Sequence, residues 1–544
     1  MTEKYERISP FRVMVNQAGY FPEQNKTAIL PFACEVFQVL DEAGTICMEG
    51  KPRYFGPDKD SGDEVYVADF SELRQPGKYS IQAGGETSAV FEISPEAYDK
   101  LFKDLMKAYY YLRCGCGLEE RYAGRFVHDK CHIRNAVLWE ERSTVLEVNG
   151  GWHDAGDYGR YITAGACALG HLLYAWQMVP ETLGKVSLNI PESGGGVPDI
   201  LSECRYELEW FLKMQAPDGG VYHKLTTAMH APFVMPEEDL EQLFVFPVSS
   251  IATADYAAVC ALAAEIYRKY DKEFAERLER AAHRAYDWLR ENPQFTGFEN
   301  PKECNTGEYG EKNDASNRFW AAAQMFALTG EETYEQDMRR LLERRFPHTA
   351  MGYGEIAGLG ALGYLLCRWE KAADIKDGLL EDIRMEAERL CALSDKCGYG
   401  VAMYSRDYCW GSNMNVMKNA MVLVAADYFL GGKKYREYAA KQLHYLMGTN
   451  ALGISYVTGN GDFCCNYPHL RPSDQDGIEE CIPGMVSGGP NRHPADETAV
   501  RLIPQGTPPM KCYADHVDCY SLNEITIYWN SPAVFTLAYL LTVR

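Results

Sequence analysis

The 544-residue chain has no run of about eighteen apolar residues, the length a helix needs to cross a bilayer. Its first residues, Met1-Thr-Glu-Lys-Tyr-Glu-Arg7, lack the apolar core of a secretory leader. These absences predict a cytoplasmic chain without a membrane partner, or a secreted one if a leader has been removed. Positive charge is scarce too, with 54 Lys and Arg against 77 Asp and Glu and a formal net charge of -23. So acidic a surface repels phosphate backbones, which excludes nucleic acid as an expected partner. No fixed-period repeat or low-complexity tract is present. A small disulfide framework is missing as well: the 18 cysteines are scattered through helical-looking segments, and most read as buried thiols.

What is there exceeds a single compact core, so two or more domains are expected. Residues 11–93 read as short strands: Phe11–Val15, Thr27–Leu30, Val36–Leu40, Val65–Ala68, Lys78–Ile81 and Ala89–Ile93. Turn signals at Gly56-Pro57-Asp58 and Pro76-Gly77 punctuate them, predicting a small antiparallel sandwich over residues 1–95. With no convergent polar set, its expected role is structural. After Pro95 the apolar period becomes helical. Helices are predicted over Tyr98–Arg113, Tyr161–Gln177, Pro198–Gln215, Thr253–Tyr270, Lys272–Glu291, Ala315–Leu328, Glu332–Arg344, Tyr353–Arg368, Leu379–Leu393, Met414–Phe429, Lys433–Met447 and Ser531–Leu541. Residues 96–544 thus predict a mainly α domain built as a bundle, a solenoid or a closed ring of hairpins.

The densest chemistry lies in Gly150-Gly-Trp-His-Asp-Ala-Gly-Asp-Tyr-Gly-Arg-Tyr161. Asp154 and Asp157 stand close enough to share one water and draw a proton from it, and the competing reading makes them caps of the following helix. Near the other end, Glu524 sits in a polar-aromatic turn before an apolar run. There a partly desolvated carboxylic acid can keep its proton near neutrality, unless it serves as a helix cap or first-turn dipole partner. His469 and Arg471 occupy a Gly- and Pro-rich loop, where they either donate to ligand hydroxyls or brace backbone. Trp152, Tyr222, Trp320, Trp410 and Tyr528 lie in or beside loops, and Tyr520 is close to Glu524; flat rings suit the apolar faces of sugars. Cys114, Cys116, Cys131, His132 and His153 gather soft and borderline ligands within about forty residues, enough for a closed zinc site with Cys116 as the spare.

Three stretches together resemble the signature regions of glycoside hydrolase family 9: the Gly150–Tyr161 segment, Asn450-Ala-Leu-Gly-Ile-Ser-Tyr-Val-Thr-Gly459 with Pro468-His-Leu-Arg-Pro-Ser473, and Ser521-Leu-Asn-Glu-Ile-Thr-Ile-Tyr-Trp-Asn-Ser-Pro532. Gly196–Trp210 and Gly219–Thr226 agree with the same family, and Val15-Asn-Gln-Ala-Gly-Tyr20 resembles the opening of its immunoglobulin-like N-terminal module. The resemblance implies an (α/α)6 barrel preceded by a small immunoglobulin-like β-sandwich, and inverting cleavage of β-1,4-linked glucans. It implies Asp157 as general base, Asp154 as its partner in holding water and Glu524 as general acid. It implies that His469 and Arg471 bind the sugar, and Trp410, Tyr520, Trp152 and Tyr222 are expected beside them as flat rings. Cys114, Cys131, His132 and His153 would hold a structural zinc. Ser316-Asn317 stands where the family pattern has acidic residues, and Ala451 replaces a common proline, so calcium is an expectation without assigned ligands. Three other readings stay open: an exo-acting β-glucosidase or exo-β-glucosaminidase on short oligosaccharides, a catalytic rather than structural zinc, and a non-catalytic sugar-binding protein on the same scaffold. Oligomeric state is not legible.

Overall fold

A computed structural model describes residues 7–544 of the protein. The chain divides into two compact units, one formed by the residues up to Ala108 together with Met385–Arg544, the other by Tyr109–Arg384.

In the first unit, eight strands build two antiparallel sheets. Strands β1 (Thr27–Leu30), β2 (Phe37–Asp41), β3 (Ile46–Gly50), β4 (Arg53–Asp58), β5 (Asp63–Asp69), β6 (Gly77–Ala83), β7 (Glu86–Thr87) and β8 (Phe91–Ile93) order as β1-β5-β4 and β3-β2-β6-β7, with β8 beside β6. Alternate residues such as Val39, Ile81 and Phe91 point into a shared core with Ala28, Leu30 and Phe70. Two expectations fail here. Phe11–Val15 contributes only a bridge from Met14 to Ile29. Gly56-Pro57-Asp58 is not a turn but part of β4, because Gly56 at φ 129° takes up a register shift against β5.

All twelve predicted helices form, α5 with the predicted bounds and the others with at least one end shifted: α1 (Asp99–Tyr111), α2 (Ile162–Met178), α3 (Asp199–Phe211), α4 (Ser250–Tyr267), α5 (Lys272–Glu291), α6 (Ala315–Thr329), α7 (Glu332–Leu342), α8 (Ala357–Leu366), α9 (Ala373–Ser394), α10 (Ser412–Leu430), α11 (Lys434–Leu446) and α12 (Ile527–Thr542). They alternate in character. Helices α2, α4, α6 and α12 are buried on nearly every face, whereas α5 and α7 carry one apolar stripe and an exposed charged face. In the unit Tyr109–Arg384, α2 packs on α4, α4 on α6 and α6 on α8, and the amphipathic α3, α5 and α7 cover α2, α4 and α6. Close approach depends on small residues: a Cβ on Gly360 would come within 2.9 Å of Phe319 and Trp320 atoms. In the other unit α10, α11 and α12 pack mutually.

Local signals set several boundaries. Asp271 caps α5 by accepting the Phe274 N–H at 3.0 Å, and Gly330, in the left-handed region at φ 74°, ends α6. Helix α12 starts four residues earlier than predicted and runs through Pro532. Its uniformly buried surface outweighs the backbone hydrogen bond that proline removes.

Candidate active site

In the unit Tyr109–Arg384, five short strands support the acidic loop: β9 (Ala136–Leu138), β10 (Val145–Leu146), β11 (Arg160–Tyr161), β12 (Lys224–Thr226) and β13 (Phe244–Val245), ordered β10-β9-β13-β12-β11. The loop is pinned at its start. The Trp152 N–H donates to Glu207 Oε2 at 2.6 Å, the His153 N–H to the Leu112 carbonyl at 2.7 Å, and the Cys114 N–H to the Gly151 carbonyl at 2.7 Å. Gly151, at φ 80°, lies so close to Trp210 that a Cβ would come within 2.8 Å of its ring. Trp152 itself is fully buried, its indole N–H donating to Glu203 Oε1 at 2.9 Å and its ring packed on Tyr109. It therefore cannot be a sugar platform: it anchors the loop. Trp320 and Tyr528 are buried too, Trp320 inside α6 and Tyr528 in the first turn of α12, which starts four residues earlier than predicted.

Past the anchor, the Asp154 N–H donates to the Gly159 carbonyl at 2.9 Å, folding the two aspartates into one tight turn. Helix α2 begins after Tyr161 with no side-chain cap, so neither aspartate serves as one. Asp154 is 1% exposed: its Oδ2 accepts from the Tyr309 hydroxyl at 2.5 Å and its Oδ1 has no hydrogen-bond partner among the described residues. Burial raises its pKa well above the usual carboxylate range, Tyr309 opposes that rise and Asp157 adds to it. Asp157 Oδ2 lies 3.2 Å from His230 Nδ1 and accepts the Gly159 N–H at 3.3 Å. Tyr309 and His230 contact the acid pair and were not legible in the sequence. Tyr309 adopts a left-handed backbone at φ 49°, uncommon for a residue with a side chain, and so marks a strained position beside the acids. Tyr222 is half-buried in a bridge with Val248, and its charged neighbour is Asp218 rather than either acid of the pair.

Beside this loop, Cys114, Cys131, His132 and His153 bring one ligand atom each within 4.8 Å of one another, all four buried. Cys116 stands outside the group, which is the only such one found among the described residues. The donors fit a metal. Among the described residues His132 Nδ1 and His153 Nε2 are buried without hydrogen-bond partners, while His132 Nε2 lies 3.2 Å from Asp239 Oδ2, the carboxylate support common behind ligating histidines. Burial holds His153 well below its ordinary pKa, in the neutral form a ligand requires.

In the other unit, a second cluster surrounds Glu524. Trp410 donates its indole N–H to Glu524 Oε2 at 3.2 Å and packs against Tyr520, ring centroids 5.4 Å apart. His469 pairs with Glu524 in a parallel bridge; its ring sits 5.7 Å from that of Tyr520, and its Nδ1 lies 2.7 Å from the Val517 carbonyl. Arg471 opens a short helix, Arg471–Gln475, with its side chain largely buried. Glu524 itself closes the four-residue helix Tyr520–Asn523 as its C-terminal cap, in extended backbone, and α12 takes Thr526 as its N-terminal cap, so Glu524 does not cap α12. Behind it, Asn523 donates to the Tyr467 carbonyl at 2.6 Å and accepts from the Tyr513 hydroxyl at 2.5 Å. Trp410 is 44% exposed and Tyr520 36%, large aromatic faces open to solvent beside a carboxyl group.

Two family models match the chain: "Glycosyl hydrolase family 9" over residues 98–537 and "Cellulase N-terminal ig-like domain" over residues 9–88. A cellodextrinase of Butyrivibrio fibrisolvens is 46% identical, the match covering 97% of this chain and 99% of that protein. A single-mutant thermostable endoglucanase from Alicyclobacillus acidocaldarius superposes with a TM-score of 0.92 at 34% identity, over 97% of this chain and 99% of that one. A zinc-binding triple mutant of the family 9 endoglucanase J30 superposes with a TM-score of 0.90 at 34% identity, over 95% and 99%. No helix among the described residues is long and apolar enough to cross a membrane. The chain belongs to glycosyl hydrolase family 9, with an (α/α)6 barrel preceded by an immunoglobulin-like β-sandwich.

Proposed function

We propose that this glycoside hydrolase cleaves β-1,4-glucosidic bonds in cellulose-like glucans and cello-oligosaccharides with inversion, in the manner of an endoglucanase. Glu524 is the general acid that protonates the leaving oxygen. Asp157 is the general base that deprotonates water on the opposite face of the sugar, and Asp154 holds that water with it. Inversion needs acid and base carboxyls about 6.5–9.5 Å apart, leaving room for the water. His469, Arg471, Trp410 and Tyr520 bind sugar around Glu524. The observation that carries the reading is the paired acid loop, in which each carboxylate has its own donor, Tyr309 on Asp154 and His230 on Asp157. Each proton transfer is typically worth about 10²- to 10⁴-fold in rate. Asp157→Asn and Glu524→Gln should therefore each remove nearly all release of reducing ends from a soluble β-glucan. Retention of most activity by either folded variant refutes its role, and a wild-type chain that binds the glucan without cutting it refutes the enzyme.

A second reading, exo-action on short cello-oligosaccharides, draws support from the 46% identity to a cellodextrinase. Products from oligosaccharides of defined length separate the two: release of one unit from an end throughout the reaction marks exo-action, and internal cuts mark endo-action. For the metal, Cys114, Cys131, His132 and His153 suit zinc, two thiolates and two imidazoles filling a tetrahedral sphere and giving it a structural role. Calcium remains an expectation without ligands. The module boundary falls near residues 95–96 on this reading. Eighteen free cysteines support action in a reducing compartment such as the cytoplasm, to be tested by cell fractionation.

A further inference from the structure

Lys224 is a buried cation that this mechanism does not use. Lys224, on β12, is 0% exposed, and its strand pairs with β11 directly after the acid loop, Lys224 opposite Tyr161. Among the described residues no carboxylate forms an ion pair with it. Instead its Nζ donates to the Gly307 carbonyl at 2.7 Å, Asn300 Oδ1 at 2.7 Å and Thr306 Oγ1 at 3.0 Å, and lies 4.5 Å from the centre of the Phe246 ring. An ammonium held by neutral oxygens, the Cys304 sulfur at 3.6 Å and aromatic faces, without a carboxylate partner among the described residues, is costly to bury, so its placement calls for a return elsewhere.

Every strong Nζ acceptor belongs to the loop of residues 300–309. That loop reaches both aspartates. Its end carries Tyr309, whose hydroxyl donates to Asp154 Oδ2 at 2.5 Å. Its middle carries Asn305, whose Oδ1 accepts the His230 N–H at 3.0 Å and whose own N–H donates to the Ala228 carbonyl at 2.9 Å, and His230 Nδ1 sits 3.2 Å from Asp157 Oδ2. Thr306 and Thr226 hydroxyls meet at 2.9 Å, and His223 Nε2 lies 2.9 Å from the Glu308 carbonyl, so the loop is laid along β12 with Lys224 at its centre. The two donors that serve the acid pair thus share one support.

We propose that Lys224 is a positioning residue for the base side of the reaction, its ammonium clamping the 300–309 loop so that Tyr309 and His230 are held on Asp154 and Asp157. Its charge adds a second contribution. Burial lowers the Lys224 pKa to about 8, while Cys304, Asp157 and Glu308 favour its charged form. Its ammonium and the Asp157 carboxylate attract each other across the site. The inference rests on the proposed role of the acid pair.

The test compares wild type, Asp157→Asn, Lys224→Met, Tyr309→Phe and the Lys224→Met/Tyr309→Phe double variant on a soluble cello-oligosaccharide. Lys224→Met should lower kcat by about 10- to 100-fold, the loss expected when a donor to a charged group is misplaced, with KM within about twofold because Lys224 touches no substrate. Because Lys224 acts through Tyr309, the double variant should lose much less than the product of the single losses. A kcat within about twofold of wild type, a change in KM alone, or single losses that multiply would each overturn the proposal. If Lys224→Met does not fold, Thr306→Val removes one Nζ acceptor at little change in volume. It should lower kcat several-fold without changing KM, and wild-type kcat there also overturns the clamp. Activity retained by Asp157→Asn would instead refute the base assignment itself, so the two failures are distinguishable.

Discussion

Replacing Tyr309 by Phe removes one hydroxyl from a pair whose geometry fixes what must follow. That hydroxyl is the only hydrogen-bond donor to the Asp154 carboxylate among the described residues, at 2.5 Å, and the carboxyl group is buried. A hydrogen bond to a charged group contributes about 1.5–3 kcal/mol, and one pKa unit corresponds to about 1.4 kcal/mol. The donor stabilises the ionised form, so its loss favours the protonated acid and should push the Asp154 pKa, already high, further up. If water is held by ionised Asp154 together with Asp157, the acid limb of the kcat profile must move to higher pH, and the hydrogen-bond energy above is equivalent to about one to two pH units along that profile. At pH values well above the displaced limb, much of the activity should return. The assay is initial-rate release of reducing ends from a cello-oligosaccharide between pH 4 and 9, with folding checked by circular dichroism at each pH. A uniform fall in kcat with an unmoved limb would refute the reasoning, because Tyr309 would then act on something other than the charge of Asp154.

Chelation of the proposed metal should lower Tm first, with activity lost only as the protein melts, and Cys114→Ser should reproduce the loss of stability; activity lost at unchanged Tm would instead make the metal catalytic. Trp152→Phe should leave KM within about twofold but destabilise by about 1–3 kcal/mol in denaturant titrations, since Glu203 loses its indole donor in a buried site. A raised KM with unchanged stability would restore Trp152 as a sugar contact.

Which parts were legible in the sequence follows from how local their signals are. Asp154, Asp157, Cys131, His132 and His153 declare themselves in short segments dense with chemistry, and the twelve helices follow from apolar periodicity. Tyr309 and His230 reach the acids from 155 and 73 residues away, a pairing that no local pattern encodes. Lys224 was visible only as a letter within Gly219–Thr226. Trp152 misled for a related reason: an aromatic in a Gly-rich loop suits a sugar platform, and only the positions of Glu203 and Tyr109 make it an anchor. Strands β3 and β4 escaped because much of their surface is exposed and they carry little apolar alternation, and Gly56-Pro57 imitates a turn where the chain holds a bulge.

The central claim, that one acid and one base act on opposite faces of a sugar through a water molecule, is tested most directly by proton NMR of the first product formed. Hydrolysis of a β-1,4-linked cello-oligosaccharide should release the new reducing end as the α-anomer, with the β-anomer growing in only at the rate of mutarotation. Initial appearance of the β-anomer would contradict the account, because it requires a covalent intermediate and a second displacement.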